Sequence, residues 1–257
     1  MKMQKIFLIL CFVFLLSGCK KVPVMTLEQI EESKNLSSEQ IISKTVSKFW
    51  DGSDYVPGKI GGTWNAVLNA DPKTFNHLIA ERDGTSSSII QMTTDSIAEY
   101  DTFSKSWIPE ACFFEIEIDE EKQTLTVHCT IRDGLFWSYC NSDEKIPVTS
   151  DDIVWWYDNI SGNPEFQSSA YSGQFVTMPD GSVERIRAVK IDDRHFDFVY
   201  PRIVADPVLS SNCSFYPSWI YKEAFEKSGT EGVKNLFSIN TDPRTIPSMG
   251  RYYISEY

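Results

Sequence analysis

The alternation of apolar and polar positions is sharpest between residues 112 and 131. Phe114, Ile116 and Ile118 point one way while Glu115, Glu117 and Asp119 point the other. After the polar stretch 120–123, Leu125, Val127, Cys129 and Ile131 resume the period of two. A period of two with one apolar side predicts a β-hairpin that buries one face and wets the other. A second hairpin is predicted about Asp192-Asp193, with Ile186 and Ile191 before the turn and Phe196, Phe198 and Tyr200 alternating after it. Trp64, Ala66 and Leu68 alternate with Thr63 and Asn65, which predicts a strand ending in Asn69-Ala70-Asp71-Pro72.

Helical spacing governs other stretches. Ile41, Ile42, Thr45, Val46, Phe49 and Trp50 recur behind Ser37 or Ser38 as N-cap, and Asp51-Gly52 ends the helix. A short helix is expected from Thr85 or Ser86 to Ala98. Thr149 is expected to cap a helix opening at Ser150-Asp151-Asp152, where two carboxylates suit the positive end of the helix dipole, and Gly162 and Pro164 end it. Residues 217–227 form another helix, stopped by Ser228-Gly229. Hairpins and helices intermixed without βαβ alternation give a mixed α/β (α+β) class.

The first residues differ from the rest. Lys2 and Lys5 precede an unbroken apolar run over residues 6–16, followed by Leu16-Ser17-Gly18-Cys19. The run is too short for a hydrocarbon core that needs roughly 20 helical residues. It reads as a secretion signal. Small residues directly before a cysteine resemble a bacterial lipobox, so residues 1–18 are expected to be a lipoprotein signal peptide and Cys19 the site of lipid attachment. The mature chain is then exported and held at the periplasmic or cell-envelope face of a membrane by its lipid. Residues 19–58 comprise a polar tether and the amphipathic helix.

Composition narrows the partners. A chain of 257 residues, 42% hydrophobic and 13% aromatic, can bury a substantial core. A net charge of -12 argues against nucleic acid, whose phosphates need clustered Lys and Arg; it reads first as a solubility device, with steering of cationic ligands the less favoured alternative. Of six cysteines, Cys11 lies in the signal and Cys19 carries the lipid, leaving Cys112, Cys129, Cys140 and Cys213. Export permits disulfides, and four cysteines allow three connectivities. The predicted hairpin puts Cys112 and Cys129 on facing apolar sides, directly opposite or one diagonal step apart, so a Cys112 to Cys129 disulfide stands beside buried free thiols. No metal or cofactor is expected: no Cys-x-x-Cys occurs, and His77, His128 and His195 stand apart. No nucleophile elbow, phosphate-cradling glycine loop or His-Glu-x-x-His occurs, and the pairs Asp151-Asp152 and Asp192-Asp193 diverge in direction, so the chain reads as a non-enzyme.

Four ordered segments resemble one family. GGTWNAVLNADPKTFN is similar to the opening strand of the extracellular solute-binding proteins of family 5, which bind oligopeptides, dipeptides or nickel complexes for ABC transporters. EYDTFSKSWIPEACFFEIEIDEEKQTLTVHCTIRDGLFWS resembles their "yD" stretch and following hairpin, and PVTSDDIVWWYDNI their "pvTA-x-DVv-x-s" helix. PSMGRYYISEY resembles "GTGPY", with Gly250 and Tyr252 in place and Arg251 where proline is usual. Residues 139–145 replace a shorter "DG" turn.

The resemblance implies a lobe like that of the type II periplasmic binding proteins over residues 59–257, with an inserted subdomain at about 86–185, ending before a second lobe. It implies capture of a peptide or other small solute by hinge closure and delivery to the transmembrane subunits of an ABC permease. Thr74, Phe75, Asn76, Thr85 and Ser86 are the expected ligand contacts, where the first lobe meets the cleft. A surface lipoprotein that engages another protein through Trp107, Trp137, Trp155, Trp156 and Trp219 is the alternative, and an exported hydrolase the less favoured one.

Overall fold

The computed structural model describes residues 65–102 and 104–257. The signal peptide, Cys19, the tether and the helix expected at residues 38–50 lie outside the described residues. The described chain divides into two compact units, residues 100–108 (Phe103 apart) and residues 65–99 with 109–257. Strands β1 (Ala98–Asp101) and β2 (Ser106–Pro109) pair with each other, and their ends in the small unit set Tyr100 edge-on to Trp107 at 5.2 Å.

In the larger unit the first predicted hairpin forms as β3 (Cys112–Asp119) and β4 (Thr124–Ile131). The second forms as β5 (Arg187–Lys190) and β6 (His195–Tyr200), and the four make one antiparallel sheet in the order β3-β4-β6-β5. Register stacks the apolar sets: Cys129 faces Phe196, Val127 faces Phe198 and Leu125 faces Tyr200, all buried. Burying such branched and aromatic side chains contributes roughly 1.5–3 kcal/mol each before entropy is counted. The other face is polar. His128 there lies between Asp197 (Nδ1 to Oδ1, 2.9 Å) and Glu117 (Nε2 to Oε2, 3.0 Å).

The sequence pattern overreached at three places. Ile118 keeps the alternation but is half-exposed near the end of β3, and Ile191, five residues from Ile186, has the opposite parity, that of Val189 facing Asp197, and is exposed. The helix expected from residue 85 to 98 stops early: α2 spans Gly84–Ile90, and Ala98 already belongs to β1. The Thr93 carbonyl is spent on the N–H groups of Met249 and Gly250, both at 3.0 Å, so the chain there serves a distant segment and not its own helix. Asn65 to Leu68, the described part of the expected first strand, is not in a strand, and Val67 is 95% exposed.

Helix α3 (Asp151–Trp156) opens on Ser150 and continues as a π-helical turn, Tyr157–Ser161, ending at Gly162 as expected. Its Asp152, 1% exposed, ties three elements together. Oδ2 accepts from Trp137 Nε1 (2.9 Å) and Thr149 N (3.0 Å), and Oδ1 from Ser218 N (3.0 Å) and Ser218 Oγ (2.6 Å). Burial pushes this carboxyl above its ordinary range, yet all four neighbours donate, a set that only the ionised form satisfies. The predicted stop at Gly229 is present as a break, with φ 59° inside α5 (Ser218–Asn235), and a further helical stretch follows it.

Candidate functional site

Helix α1 (His77–Ala80) is too short to persist without its cap. Asn76 supplies that cap: Oδ1 accepts from the N–H groups of Leu78 and Ile79, both at 3.0 Å, and Nδ2 donates to the carbonyls of Val233 (2.7 Å) and Leu236 (2.9 Å) at the end of α5. All four hydrogen-bonding positions of a fully buried amide are thus used. Thr74 Oγ1 donates to the Phe237 carbonyl and accepts from Asn76 N–H, while Phe75 is buried with its ring edge-on to Tyr257. Ser86 Oγ accepts from Lys73 N–H and donates to the Asp83 carboxylate, which also caps α2.

The structure therefore brings Thr74, Phe75, Asn76 and Ser86 together as an internal knot whose polar atoms are already bonded. Thr85 is half-buried on α2, outside the nearby cleft. Cys112 and Cys129 lie one diagonal step apart: Cys112 faces Ile131, and Phe114 faces Cys129. Both are buried and free, and burial holds both thiols well above the ordinary range.

Beside this knot the larger unit opens a cleft of about 570 Å³, within the size range of small-molecule sites. One wall carries His77, Glu81, Ser87 and Gln91 from α1, α2 and the turns after them. The floor is Trp156 and Tyr157 from the α3 segment. The opposite wall is residues 209–214 with Tyr216, and Ser169, Ala170, Gly173 and Gln174 edge the mouth. Gln174 braces the floor, donating to the Tyr157 carbonyl (3.0 Å) and accepting from Arg185 Nε (2.9 Å).

His77 is neutral here, because burial pulls its pKa down to about 3. Its Nδ1 lies 2.8 Å from the Tyr221 hydroxyl, and Nε2 has no partner among the described residues. Cys213 on the cleft wall stays a thiol, its pKa pushed up to about 12 by burial. Tyr216 stays a phenol for the same reason, aided by the charge of Glu81. A protonated thiol and a neutral imidazole bonded to a tyrosine give these two residues no activated nucleophile. Glu81, Cys213 and Tyr216 form no local motif, and no sequence signal singled them out.

No family model matches the chain. Over 205 residues it is 23% identical to a protein of Deinococcus radiodurans described as "Probable ABC transporter-binding protein", an alignment covering 78% of this chain and 32% of that protein. The chain resembles the binding proteins of ABC transporters. It spans about a third of the length of that curated relative. Among solved structures it is similar to an oligopeptide-binding protein from Thermus thermophilus in complex with a pentapeptide (15% identity, TM-score 0.49, 73% of this chain and 34% of that one). It is also similar to a dipeptide-binding protein from a Pseudoalteromonas species in complex with Met-Leu (15% identity, TM-score 0.48, 73% and 36%). These relatives are binding proteins and not enzymes.

Proposed function

We propose that this chain belongs to the solute-binding component of an ABC importer, exported and tethered at Cys19, that captures small peptides and delivers them to a membrane permease. The observation that carries the reading is the 205-residue alignment with an ABC transporter-binding protein, which covers 78% of the chain that holds the segments resembling family 5. The cleft supports it: neutral hydroxyl and amide groups on the walls with an aromatic floor suit a polar solute with apolar side chains. Closure of a second lobe over such a solute would be a hinge transition, selected because both lobes touch ligand only when closed. Thr74, Phe75, Asn76 and Ser86 act in this reading as the support that fixes the cleft wall, and Thr85 has no part in the site.

The test is mass spectrometry of small molecules retained by protein purified from the cell envelope, followed by calorimetry with di- to pentapeptides. Co-purifying peptides and saturable heats are expected. A solute-free protein that gives no heat with any of them overturns the reading.

A further inference from the structure

Among the residues lining the cleft, His77 is held neutral by burial and Glu81 is the only Asp, Glu, Lys or Arg. Its bonds are one-sided. Oε2 accepts from Ser169 N (2.8 Å) and Ser169 Oγ (2.9 Å), and the Ser168 hydroxyl sits between the two oxygens at 3.1 Å from Oε1 and 3.2 Å from Oε2. Oε1 therefore has only a shared hydroxyl among the described residues, although a carboxylate oxygen accepts about two hydrogen bonds. The serine contacts fix the carboxylate against the mouth residues and leave that oxygen with capacity for a further donor. Glu81 and Tyr216 both line the cleft.

We infer that Glu81 anchors a primary ammonium group, so that the cleft selects small solutes carrying a free amine beside an apolar or aromatic body, the body lying against Tyr216. An anionic end would meet only the Glu81 carboxylate and no cation. An uncharged analogue would keep the body contacts but lose the charge-assisted hydrogen bond, which is about twice as strong as a neutral one. The net charge of -12 acts in the same sense at long range. The inference rests on the solute-binding reading for the identity of its ligand, while the site chemistry stands on Glu81 and the cleft.

Three probes that share one ring decide it, titrated into the full chain by calorimetry: L-phenylalaninamide, with a free ammonium; N-acetyl-L-phenylalaninamide, uncharged; and N-acetyl-L-phenylalanine, an anion. The expected order is ammonium tightest by at least tenfold over the uncharged probe, with the anion weakest. Glu81→Gln should bring the first probe down to the second and leave the second within about twofold. Ala170→Trp, at the exposed rim beside the serines that bond Glu81, adds bulk there without removing a side-chain donor and should block all three. Equal binding of the ammonium and acetylated probes, an unchanged Glu81→Gln, or no binding of the ammonium probe overturns the inference. Should Glu81→Gln prove unfolded by circular dichroism, the ranking on the unmutated chain and its loss in Ala170→Trp decide alone. Peptide capture by the envelope protein without amine selectivity removes only this inference. Amine selectivity without any peptide capture removes only the importer reading.

Discussion

Asp152 offers the sharpest test of how this unit is held together. Three of its four donors cannot turn away: the Trp137 indole N–H and the backbone N–H groups of Thr149 and Ser218 are fixed by the elements they belong to. Only the Ser218 hydroxyl can rotate. Asp152→Ala strands three buried donors at about 1–3 kcal/mol each and removes the cost of burying a charge, which returns part of that sum. A net loss of about 3–5 kcal/mol is expected, a third or more of the stability of an ordinary domain. Asp152→Asn discriminates further. If its amide nitrogen faces Ser218, that hydroxyl can turn and accept, and only the Ser218 N–H is stranded. If it faces the other pair, both Trp137 and Thr149 lose their acceptor. The first orientation is therefore selected, at about 1–3 kcal/mol.

Urea unfolding followed by tryptophan fluorescence measures this, since Trp137 itself reports on the bond. The expected order is wild type, then Asp152→Asn, then Asp152→Ala, with an unchanged slope against denaturant. Trp137→Phe combined with Asp152→Asn should be less than additive, because the indole N–H belongs to the same network. A loss under about 1 kcal/mol for the alanine variant, or equal losses for both variants, would refute the view that this carboxylate joins the Trp137 strand, α3 and α5.

Gly250→Ala should cost about 1–3 kcal/mol in thermal or urea unfolding, because a Cβ there would lie 2.7 Å from the Thr93 carbonyl carbon and 2.8 Å from Met92 O and Thr94 N, all backbone atoms that cannot swing aside. Asn76→Asp should destabilise at least as much as Asn76→Ala: it keeps the cap but sets a negative charge against the carbonyls of Val233 and Leu236, and equal stability of Asn76→Asp and wild type in urea would refute it. For His128, burial pulls its pKa down, but the hydrogen bonds and charges of Glu117 and Asp197 outweigh that and hold it above the ordinary value. A raised folded pKa means that its contribution is complete below the unfolded value near 6.5 and is lost as pH rises through the higher folded one. The stability gap between wild type and His128→Gln should accordingly narrow between pH 5.5 and 8.5, by less than about 1 kcal/mol for so exposed a pair. On the proposed lipid anchoring, in which two acyl chains at Cys19 hold the chain stably, Cys19→Ser should release the protein from the membrane fraction, and an unchanged membrane fraction would refute the tether.

What could be read in advance depended on how local the cause was. Both hairpins were legible because alternation is a property of a few consecutive residues, and the break at Gly229 because only glycine takes φ 59° with ψ -147° without strain. The end of α2 was not legible, since the Thr93 carbonyl is claimed by Met249 and Gly250 more than 150 residues away. The cleft was not legible either. Glu81 and Tyr216 come from distant segments and line one cleft only through packing, whereas Ser86 and Asn76, chosen as polar residues near an expected cleft, are residues that caps and turns consume.

The cysteines show where pattern and register part. Moving one strand of the hairpin by one residue would turn Leu125, Val127 and Ile131 to water, which their burial forbids. Moving it by two keeps every face correct and would set Cys112 directly opposite Cys129. Apolar alternation cannot choose between those registers. The turn chooses: Asp119 Oδ1 accepts the Lys122 N–H at 3.0 Å, Gln123 takes φ 56°, and Asp119 pairs with Thr124. From that pair the ladder counts outward to Phe114 opposite Cys129 and Cys112 opposite Ile131. Diagonal neighbours stand about 7–8 Å apart between Cα atoms, beyond the usual 4.4–6.8 Å of a disulfide. Four polar residues at the turn thus set the separation of two thiols at the other end of the hairpin.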